Sequence, residues 1–174
     1  MGNSKWVVFE GPDGSGKSTA ADKLVRALAD ASGPTVLQHL TQHSKLEEYY
    51  VPARTWFSMG LNVVQDRCTM SDLVYAPVHS GCASRFGEDL VRRQLSALSM
   101  RATLIHMTAS EAALAERIGV RGDDNTAAAD LRLLLEGYDR EVSWFASLGA
   151  KVITVDTTDS FPDGSWLLEA VLEQ

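Results

Sequence analysis

The 174-residue sequence is poor in cysteine and contains no long hydrophobic run. Cys68 and Cys82 are its only cysteines, so neither a framework of several disulfides nor a four-cysteine zinc site can form. No uninterrupted apolar segment approaches the length of a membrane-spanning helix, and no signal peptide is visible. These absences lead us to expect a cytoplasmic protein without a membrane span.

The sequence also lacks an excess of positive charge. Lysine and arginine together number 16 against 23 acidic residues, which gives a formal net charge of −7. This balance favours solubility and gives no support for a general nucleic-acid-binding surface, although a local basic cleft is compatible with it. The length and the 45% hydrophobic content suit one domain with a substantial core.

A glycine-rich stretch stands between a short apolar run and a helix-like segment. Residues 11–18 match the pattern G-x-x-x-x-G-K-[ST] at Gly11, Gly16, Lys17 and Ser18. The glycines let the backbone turn and point several N–H groups at phosphate oxygens, and the following helix adds the positive end of its dipole. Lys17 can then reach the β- and γ-phosphates, and Ser18 can offer its hydroxyl to Mg²⁺. The stretch therefore predicts a phosphate-binding loop.

Short apolar strands alternate with helical patterns along the rest of the chain. We expect strands at residues 5–10, 35–40, 61–65, 102–107 and 151–156. The alternation predicts an α/β fold, a three-layer α/β/α sandwich around a five-stranded, mostly parallel sheet. Right-handed crossovers then place ligands at the carboxyl ends of the strands, where the glycine-rich loop also lies.

Several local signals carry further structural expectations. Pro52 is expected to break or restart a helix, and Pro77 to lie in a loop. The helical pattern over residues 87–99 is expected to point Leu90 inward. Glycine, charge and asparagine at residues 119–126 predict an interruption between two helical segments.

A second motif follows the third predicted strand. From Asp66 the chain reads Asp-Arg-Cys-Thr-Met-Ser-Asp-Leu-Val-Tyr, which resembles the D-R-Y-x-x-S-x-x-A-Y segment of thymidylate kinases. Residues 9–19 resemble that family's first motif, and residues 115–117 and 121–123 stand where the family has its arginine-bearing lid. The resemblance follows the order of elements over nearly the whole chain. It implies a single P-loop kinase domain with a lid at about residues 117–127.

The resemblance implies a phosphoryl donor and a metal ion. In that family the γ-phosphoryl group of ATP passes to a deoxynucleoside monophosphate such as dTMP, with Mg²⁺ bound near the phosphates. Ser18 and Asp66 are the residues implied at the metal. Those implied to hold ATP are Gly11, Asp13, Gly14, Ser15, Gly16, Lys17, Ser18, Thr19 and Arg117.

The resemblance also implies an acceptor site and a catalytic set of charges. The residues implied at the acceptor are Asp13, Arg67, Ser71, Asp72 and Tyr75. Phosphoryl transfer depends on positioning and on neutralising charge, which Lys17, Arg67, Arg121 and Mg²⁺ can supply, with Asp13 facing the acceptor. Members of the family are typically dimeric, so a homodimer is a further implication.

The acceptor side departs from the family pattern. Residues 40–44 replace a segment that is usually acidic and contains proline, while Cys68 and Ala76 replace a tyrosine and a glutamine. The residues between 41 and 59 that would contact the base therefore stay unassigned. The sequence does not decide whether Arg85, beyond the second motif, faces the cleft or the solvent. The pocket is remodelled, and the identity of the acceptor's base stays open.

Two alternatives remain. The first keeps the chemistry but phosphorylates a hydroxyl on a nucleoside or on a modified base in DNA. The absence of an acidic residue after the second strand, where it would act as the base, argues against a nucleoside, and the negative net charge argues more weakly against DNA. The second is a regulatory module that hydrolyses a nucleotide slowly. A guanine-specific switch would be expected to carry an Asn-Lys-x-Asp segment after the fourth strand, and residues 107–110 do not provide one.

Overall fold

The computed structural model describes residues 4–121 and 128–173, and its strands form one sheet. These strands are β1 (Trp6–Glu10), β2 (Thr35–His39), β3 (Asn62–Asp66), β4 (Thr103–Thr108) and β5 (Lys151–Asp156). They pair in the order β2-β3-β1-β4-β5, and every pairing is parallel. The predicted five-stranded sheet is confirmed, with strand ends within about one residue of those expected.

Helices follow each strand and cover the sheet. In the described ranges they are α1 (Lys17–Ser32), α2 (Leu46–Ser58), α3 (Met70–Ser80), α4 (Glu88–Ser99), α5 (Glu111–Arg121), α6 (Ala128–Ser147) and α7 (Gly164–Leu172). None of these helices is both long enough and apolar enough to cross a membrane.

The strands are buried on both faces, and β1 shows how. Trp6 and Val8 pack into a core shared with α2, α3, α4 and α6. Val7 and Phe9 point the other way, into a core shared with α1 and α7. Because successive side chains of a strand alternate between faces, a continuous apolar strand needs a helical layer on each side. The predicted three-layer α/β/α sandwich is thereby confirmed.

Helix α2 runs through Pro52, contrary to the expected break. A proline inside a helix removes the N–H that would bond to the carbonyl four residues earlier, here that of Glu48. That carbonyl instead accepts a hydrogen bond from Gln38 Nε2 at 2.6 Å. The next carbonyl, of Tyr49, accepts one from Gln65 Nε2 at 2.7 Å. Side chains of β2 and β3 thus bind carbonyls of the helix, a contact that its own sequence does not reveal.

Helix α3 likewise includes Pro77, which we expected in a loop. Met70, Leu73 and Val74 lie at helical spacing and are buried in the core. Pro77 falls in the last turn of the helix, where it removes one hydrogen bond. Packing of the apolar face supports the helix despite that loss, as tertiary contacts generally do for short helices.

Two expectations for α4 and α5 also need correction. Leu90 is 44% exposed, because the buried face of α4 is the one that contains Val91, Leu95 and Leu98. Helix α5 continues to Arg121, so residues 119–121 belong to the helix and not to the predicted interruption. Residues 122–127, and with them most of the predicted lid, lie outside the described residues.

Candidate functional site

The glycine-rich loop joins the end of β1 to the start of α1, at the carboxyl edge of the sheet. Gly11 has φ of 148°, and a Cβ there would lie 2.0 Å from the carbonyl oxygen of Met107 on β4. Gly16 has φ of 85°, and a Cβ there would lie 2.3 Å from the ring of Phe161. Both positions therefore require glycine for backbone conformation and for space. The loop is held in a compact turn against β4 and the segment after β5.

Lys17 is buried at the start of α1. Its Nζ donates a hydrogen bond of 2.7 Å to the carbonyl oxygen of Pro12, within the same loop. Burial, reinforced by the nearby positive charge of Arg67, lowers the pKa of Lys17 to about 7. The carboxylates of Asp13, Asp66 and Glu10 oppose this shift without cancelling it, so the charged amine would gain from an anionic partner.

Asp66 lies at the end of β3, next to the start of α1. The Ser18 hydroxyl donates to Asp66 Oδ2 at 2.5 Å, and His39 Nδ1 lies 3.1 Å from the same oxygen. Asp66 Oδ1 is buried and has no hydrogen-bond partner among the described residues. A hydroxyl, a carboxylate and an unsatisfied carboxylate oxygen are a donor set that Mg²⁺ prefers, so the residues fit the implied metal. When bound there, Mg²⁺ would neutralise charge on the phosphates.

Arg67 occupies an unusual backbone conformation. Its φ is 81°, a positive value seen for no other non-glycine residue in the described ranges. Its N–H bonds to the carbonyl of Phe9 at 2.9 Å, and its guanidinium lies over the ring of Tyr75 at 5.4 Å. The guanidinium also donates to Ser71 Oγ at 3.2 Å and forms an ion pair with Asp13. Left-handed backbone at a bulky residue is strained, and here it aims an arginine at the loop.

Asp13 connects the glycine-rich loop to this arginine. Besides the ion pair with Arg67, its N–H donates to the Tyr75 hydroxyl at 3.1 Å. Burial would raise the pKa of the Asp13 carboxyl, but the charges of Arg67 and Lys17 outweigh burial and lower it. Asp13 is therefore an ionised, weakly basic carboxylate between two cations.

Glu10, the last residue of β1, is fully buried beneath the same turn. Its carboxylate accepts hydrogen bonds from the N–H of Cys68 at 2.6 Å and of Ser71 at 3.3 Å. It also accepts bonds from the Ser71 hydroxyl at 2.7 Å and the Tyr138 hydroxyl at 3.1 Å. The turn that follows Arg67 is thus built around one carboxylate, which stabilises the conformation of Arg67.

A cavity of about 500 Å³ opens beside Arg67 and Asp13. Its walls come from the β2–α2 loop, α2, α3 and the loop before α4. The lining residues are Asp13, Leu40, Thr41, Gln42, His43, Tyr49, Arg67, Ser71, Asp72, Tyr75, Ala76, His79, Ser80 and Arg85. A cavity of this volume suits a ligand of nucleotide size.

Arg117 lies on the other side of the loop. Its guanidinium donates to the carbonyl oxygens of Gly14 at 3.4 Å, Thr157 at 2.6 Å and Thr158 at 3.1 Å. It stacks over the ring of Phe161 at 4.6 Å. Helix α5 and the segment after β5 are thereby tied to the loop, and an exposed aromatic ring lies against its last glycine.

The structure brings most of the sequence-predicted residues together. The loop residues, Asp66 and Arg117 surround the start of α1, while Asp13, Arg67, Ser71, Asp72 and Tyr75 share the cavity. Thr19 is exposed on the first turn of α1. Arg121 ends α5, but its side chain lies outside the described part of the chain, so its role stays a prediction.

Some residues of the site escaped the sequence reasoning. Glu10 and Thr157 are polar residues at or just after the end of an apolar strand, a signal that could have identified them, and the structure buries both fully. Thr157 Oγ1 lies 3.1 Å from the Ser15 carbonyl oxygen and 3.0 Å from that of Thr108, which links the loop to β4. No comparable signal in the sequence predicts that Phe161 approaches the loop or that Arg85 lines the cavity, because both residues lie in irregular segments.

Comparison with known proteins agrees with this fold. No protein-family model matches the sequence, and no curated protein matches it either. Among solved structures, the chain is similar to the YorR protein of Bacillus subtilis, determined in complex with phosphorylated GDP. The two share 25% sequence identity with a TM-score of 0.64, over 88% of this chain and 86% of YorR. The chain thus has a nucleotide kinase-like fold, and this likeness does not by itself identify it as a thymidylate kinase.

Proposed function

We propose that this protein is an ATP- and Mg²⁺-dependent kinase that phosphorylates a deoxynucleoside monophosphate, dTMP or a related one. The observation that carries the proposal is the ion pair between Asp13 and Arg67. It joins a residue of the phosphate loop to an arginine at the wall of a nucleotide-sized cavity. Two phosphate-bearing ligands can therefore meet at this point, one on each side of Asp13.

The donor side would be formed by the loop, Lys17 and the start of α1. Backbone N–H groups of a compact glycine-rich loop and a helix N-terminus favour phosphate oxygens. The amine of Lys17, whose charged form is disfavoured by burial and by Arg67, would gain a further counter-charge when a phosphate binds. We assign Arg117 and Phe161 to the base of the donor, because the guanidinium stacks on this ring beside the last glycine of the loop.

The acceptor side favours a phosphate over a hydroxyl. A hydroxyl acceptor would need a carboxylate to take its proton. Among the described residues that line the cavity, the carboxylates are Asp13 and Asp72, and each is ion-paired with an arginine. The lowered pKa of Asp13 makes it a poorer base still. A monophosphate needs no base, and Arg67 offers it a charged donor.

In the proposed reaction an oxygen of the acceptor phosphate attacks the γ-phosphorus of ATP. A new P–O bond forms as the bond to the β-phosphate oxygen breaks, which gives ADP and a deoxynucleoside diphosphate. Lys17 and Arg67 would stabilise the charge on the transferred group and on the acceptor. The nucleotide seen in YorR supports the binding of a nucleotide by this fold, and the choice of acceptor rests on the cavity described here.

A substrate panel tests the proposal. Purified protein is incubated with ATP, Mg²⁺ and, separately, each deoxynucleoside monophosphate, the nucleosides and duplex DNA containing hydroxymethylated bases, and ADP release is measured. We expect turnover with at least one monophosphate, with the diphosphate as its product. If only nucleosides or DNA were phosphorylated, the acceptor would be a hydroxyl group and the proposed monophosphate acceptor would be wrong. Hydrolysis of ATP that no acceptor accelerates would indicate a regulatory module instead.

A further inference from the structure

We propose that His39 is a positioning residue of the metal site. It fixes the carboxylate of Asp66 so that one oxygen of that group is left for Mg²⁺ or for a water bound to it. The inference rests on the proposed function, because it concerns the metal that accompanies the nucleotide. It gives a role to a histidine at the end of β2, outside both sequence motifs.

The sheet places His39 directly beside Asp66. These two residues end neighbouring parallel strands and are partners in the register of β2 and β3. Side chains of paired residues point to the same face of a sheet, and two residues earlier Leu37 and Val64 pack on the face that α1 covers. The His39 ring therefore lies on the α1 side, where Ser18 also approaches Asp66. Strand pairing, rather than a loop, sets the contact between the histidine and the carboxylate.

The two carboxylate oxygens of Asp66 have different surroundings. Oδ2 accepts the Ser18 hydroxyl at 2.5 Å and lies 3.1 Å from His39 Nδ1. A carboxylate oxygen accepts hydrogen bonds and does not donate them, so Nδ1 carries the hydrogen in this contact. Oδ1 is buried and has no hydrogen-bond partner among the described residues. An unsatisfied buried carboxylate oxygen is costly, so this atom is suited to a cation or to a water that the cation holds.

His39 and Ser18 differ in what else they do at the site. The Ser18 oxygen is itself an implied ligand of Mg²⁺, so this side chain has to serve the metal and the carboxylate together. The His39 ring forms its hydrogen bond with Asp66 alone among the described residues. A donor that holds a ligating group without binding the metal fixes the orientation of that group, and its loss typically lowers metal affinity about 10- to 100-fold.

The exposure of the His39 ring makes the role testable. Its side chain is 51% exposed, whereas that of Asp66 is 8% exposed. Removal of the ring therefore leaves no buried cavity, and the stability of the fold should change little. A variant of His39 can thus separate an effect on the metal from an effect on folding.

The test measures how strongly Mg²⁺ tightens the binding of a nucleotide. Calorimetry gives the dissociation constant of the β,γ-imido analogue of ATP in EDTA and at saturating Mg²⁺, and the ratio of the two constants is the tightening. In His39→Ala we expect this ratio to fall about 10-fold while the constant in EDTA stays unchanged. In His39→Asn the ratio should stay within about 3-fold of the native value, because the asparagine amide nitrogen occupies the position of Nδ1 and can donate in its place.

A double-mutant cycle checks that His39 acts through Asp66. Asp66→Asn should itself reduce the ratio, and His39→Ala should add no further loss in that background. Asp22→Asn is the matched control, since Asp22 is exposed on α1 one turn after Ser18. It should keep the native ratio, and thermal melting of every variant verifies folding.

The outcomes separate this inference from the proposed function. An unchanged ratio in His39→Ala, or equal weakening in EDTA and in Mg²⁺, overturns the role of His39 while the proposed function stands. A selective fall of the ratio in a protein that phosphorylates none of the monophosphates supports the role of His39 and refutes the proposed acceptor. A native protein whose affinity for the analogue is not raised by Mg²⁺ refutes both.

Discussion

The glycine-rich loop and the cavity beside Arg67 lie side by side, but they are built in different ways. The sequence signal of the loop comes from eight consecutive residues, and its conformation depends on glycine backbone angles at Gly11 and Gly16. The cavity combines side chains from the loop itself, the β2–α2 segment, the turn after β3 and the loop before α4. A local site is visible in a sequence, whereas an assembled one depends on contacts between distant residues.

The difference also concerns how charge is compensated. Lys17 is buried with a carbonyl as its hydrogen-bond partner, and its pKa is lowered to about 7. In the cavity, Asp13 with Arg67 and Asp72 with Arg85 form ion pairs. The loop is therefore prepared for an anion that brings its own charge, while the cavity presents oriented pairs that can discriminate among ligands.

The largest effect is expected from Lys17→Ala, which removes the cation of the loop. Transfer should fall by at least about 1,000-fold, because the charge on the transferring phosphoryl group loses its main protein partner. The rate is measured at saturating ATP, with circular dichroism to confirm folding. Lys45→Ala, at an exposed lysine just before α2, serves as control. If Lys17→Ala retained activity, the role assigned to the loop in phosphoryl transfer would be wrong.

Arg67→Ala should act mainly on the cavity side. We expect the KM for the monophosphate to rise about 100-fold, which corresponds to the loss of one charge-assisted contact of about 2.7 kcal/mol. The KM for ATP should change little, so initial rates are measured with each substrate varied in turn. If the constant for ATP rose selectively, the two sides of the site would have been assigned in the wrong order.

Gly16→Ala in the loop and Gly119→Ala in α5 compare a glycine with positive φ with a glycine inside a helix. At φ of 85°, and with the Phe161 ring 2.3 Å from the new Cβ, we expect a loss of about 2 kcal/mol or more in unfolding free energy. Gly119→Ala, in α5 where a Cβ meets nothing within 4 Å, should stabilise by about 0.5–1 kcal/mol. Urea unfolding of both variants measures the difference. Equal changes in unfolding free energy in the two variants would show that the left-handed backbone at Gly16 carries no penalty for alanine.

Glu10→Gln tests whether the buried carboxylate positions Arg67. The amide can accept fewer of the hydrogen bonds offered by Cys68, Ser71 and Tyr138, so the turn should loosen. We expect the KM for the acceptor to rise about 10-fold with little change for ATP, a loss of about 1.4 kcal/mol. Tyr138→Phe, which removes one of the four bonds, should have a smaller effect in the same direction. Equal changes for both substrates would indicate a purely structural role for Glu10.

The smallest effect concerns His106, on β4 against Tyr138. Burial lowers the pKa of its imidazole, with the nearby Asp139 opposing the shift. Below the ordinary value of 6.5 the unfolded chain then binds more protons than the folded one, so stability falls as the pH drops through that window. In His106→Gln the melting temperature should depend less on pH between 7 and 5. An unchanged slope would mean that other groups set the acid sensitivity.

The sheet and the loop could be predicted because their signals are local. Apolar β-branched runs mark the strands, and the glycine pattern marks the loop between β1 and α1. The path of α2 through Pro52 could not be predicted in this way. The carbonyl freed by that proline is bound by Gln38, a residue of β2 that the helix sequence does not contain.

The cavity shows the same limit. Arg85 had no assigned side in the sequence, and its orientation depends on Asp72 and on the carbonyl of Gln42, which is 43 residues away in the chain. The left-handed conformation of Arg67 depends in part on the buried Glu10, 57 residues before it. Contacts between residues so far apart in the chain depend on how the helices pack on the sheet, and the hydrophobic periodicity of the sequence does not specify that packing.

The amino-acid sequence by itself determined the three-layer α/β architecture and the phosphate loop, because backbone preferences and side-chain period act between near neighbours. Only the tertiary structure decided how the cavity beside Arg67 is lined and which carboxylate pairs with Arg67 and which with Arg85. The physical reason is that ion pairs and buried hydrogen bonds join residues by distance in space, and packing sets that distance after the elements have formed.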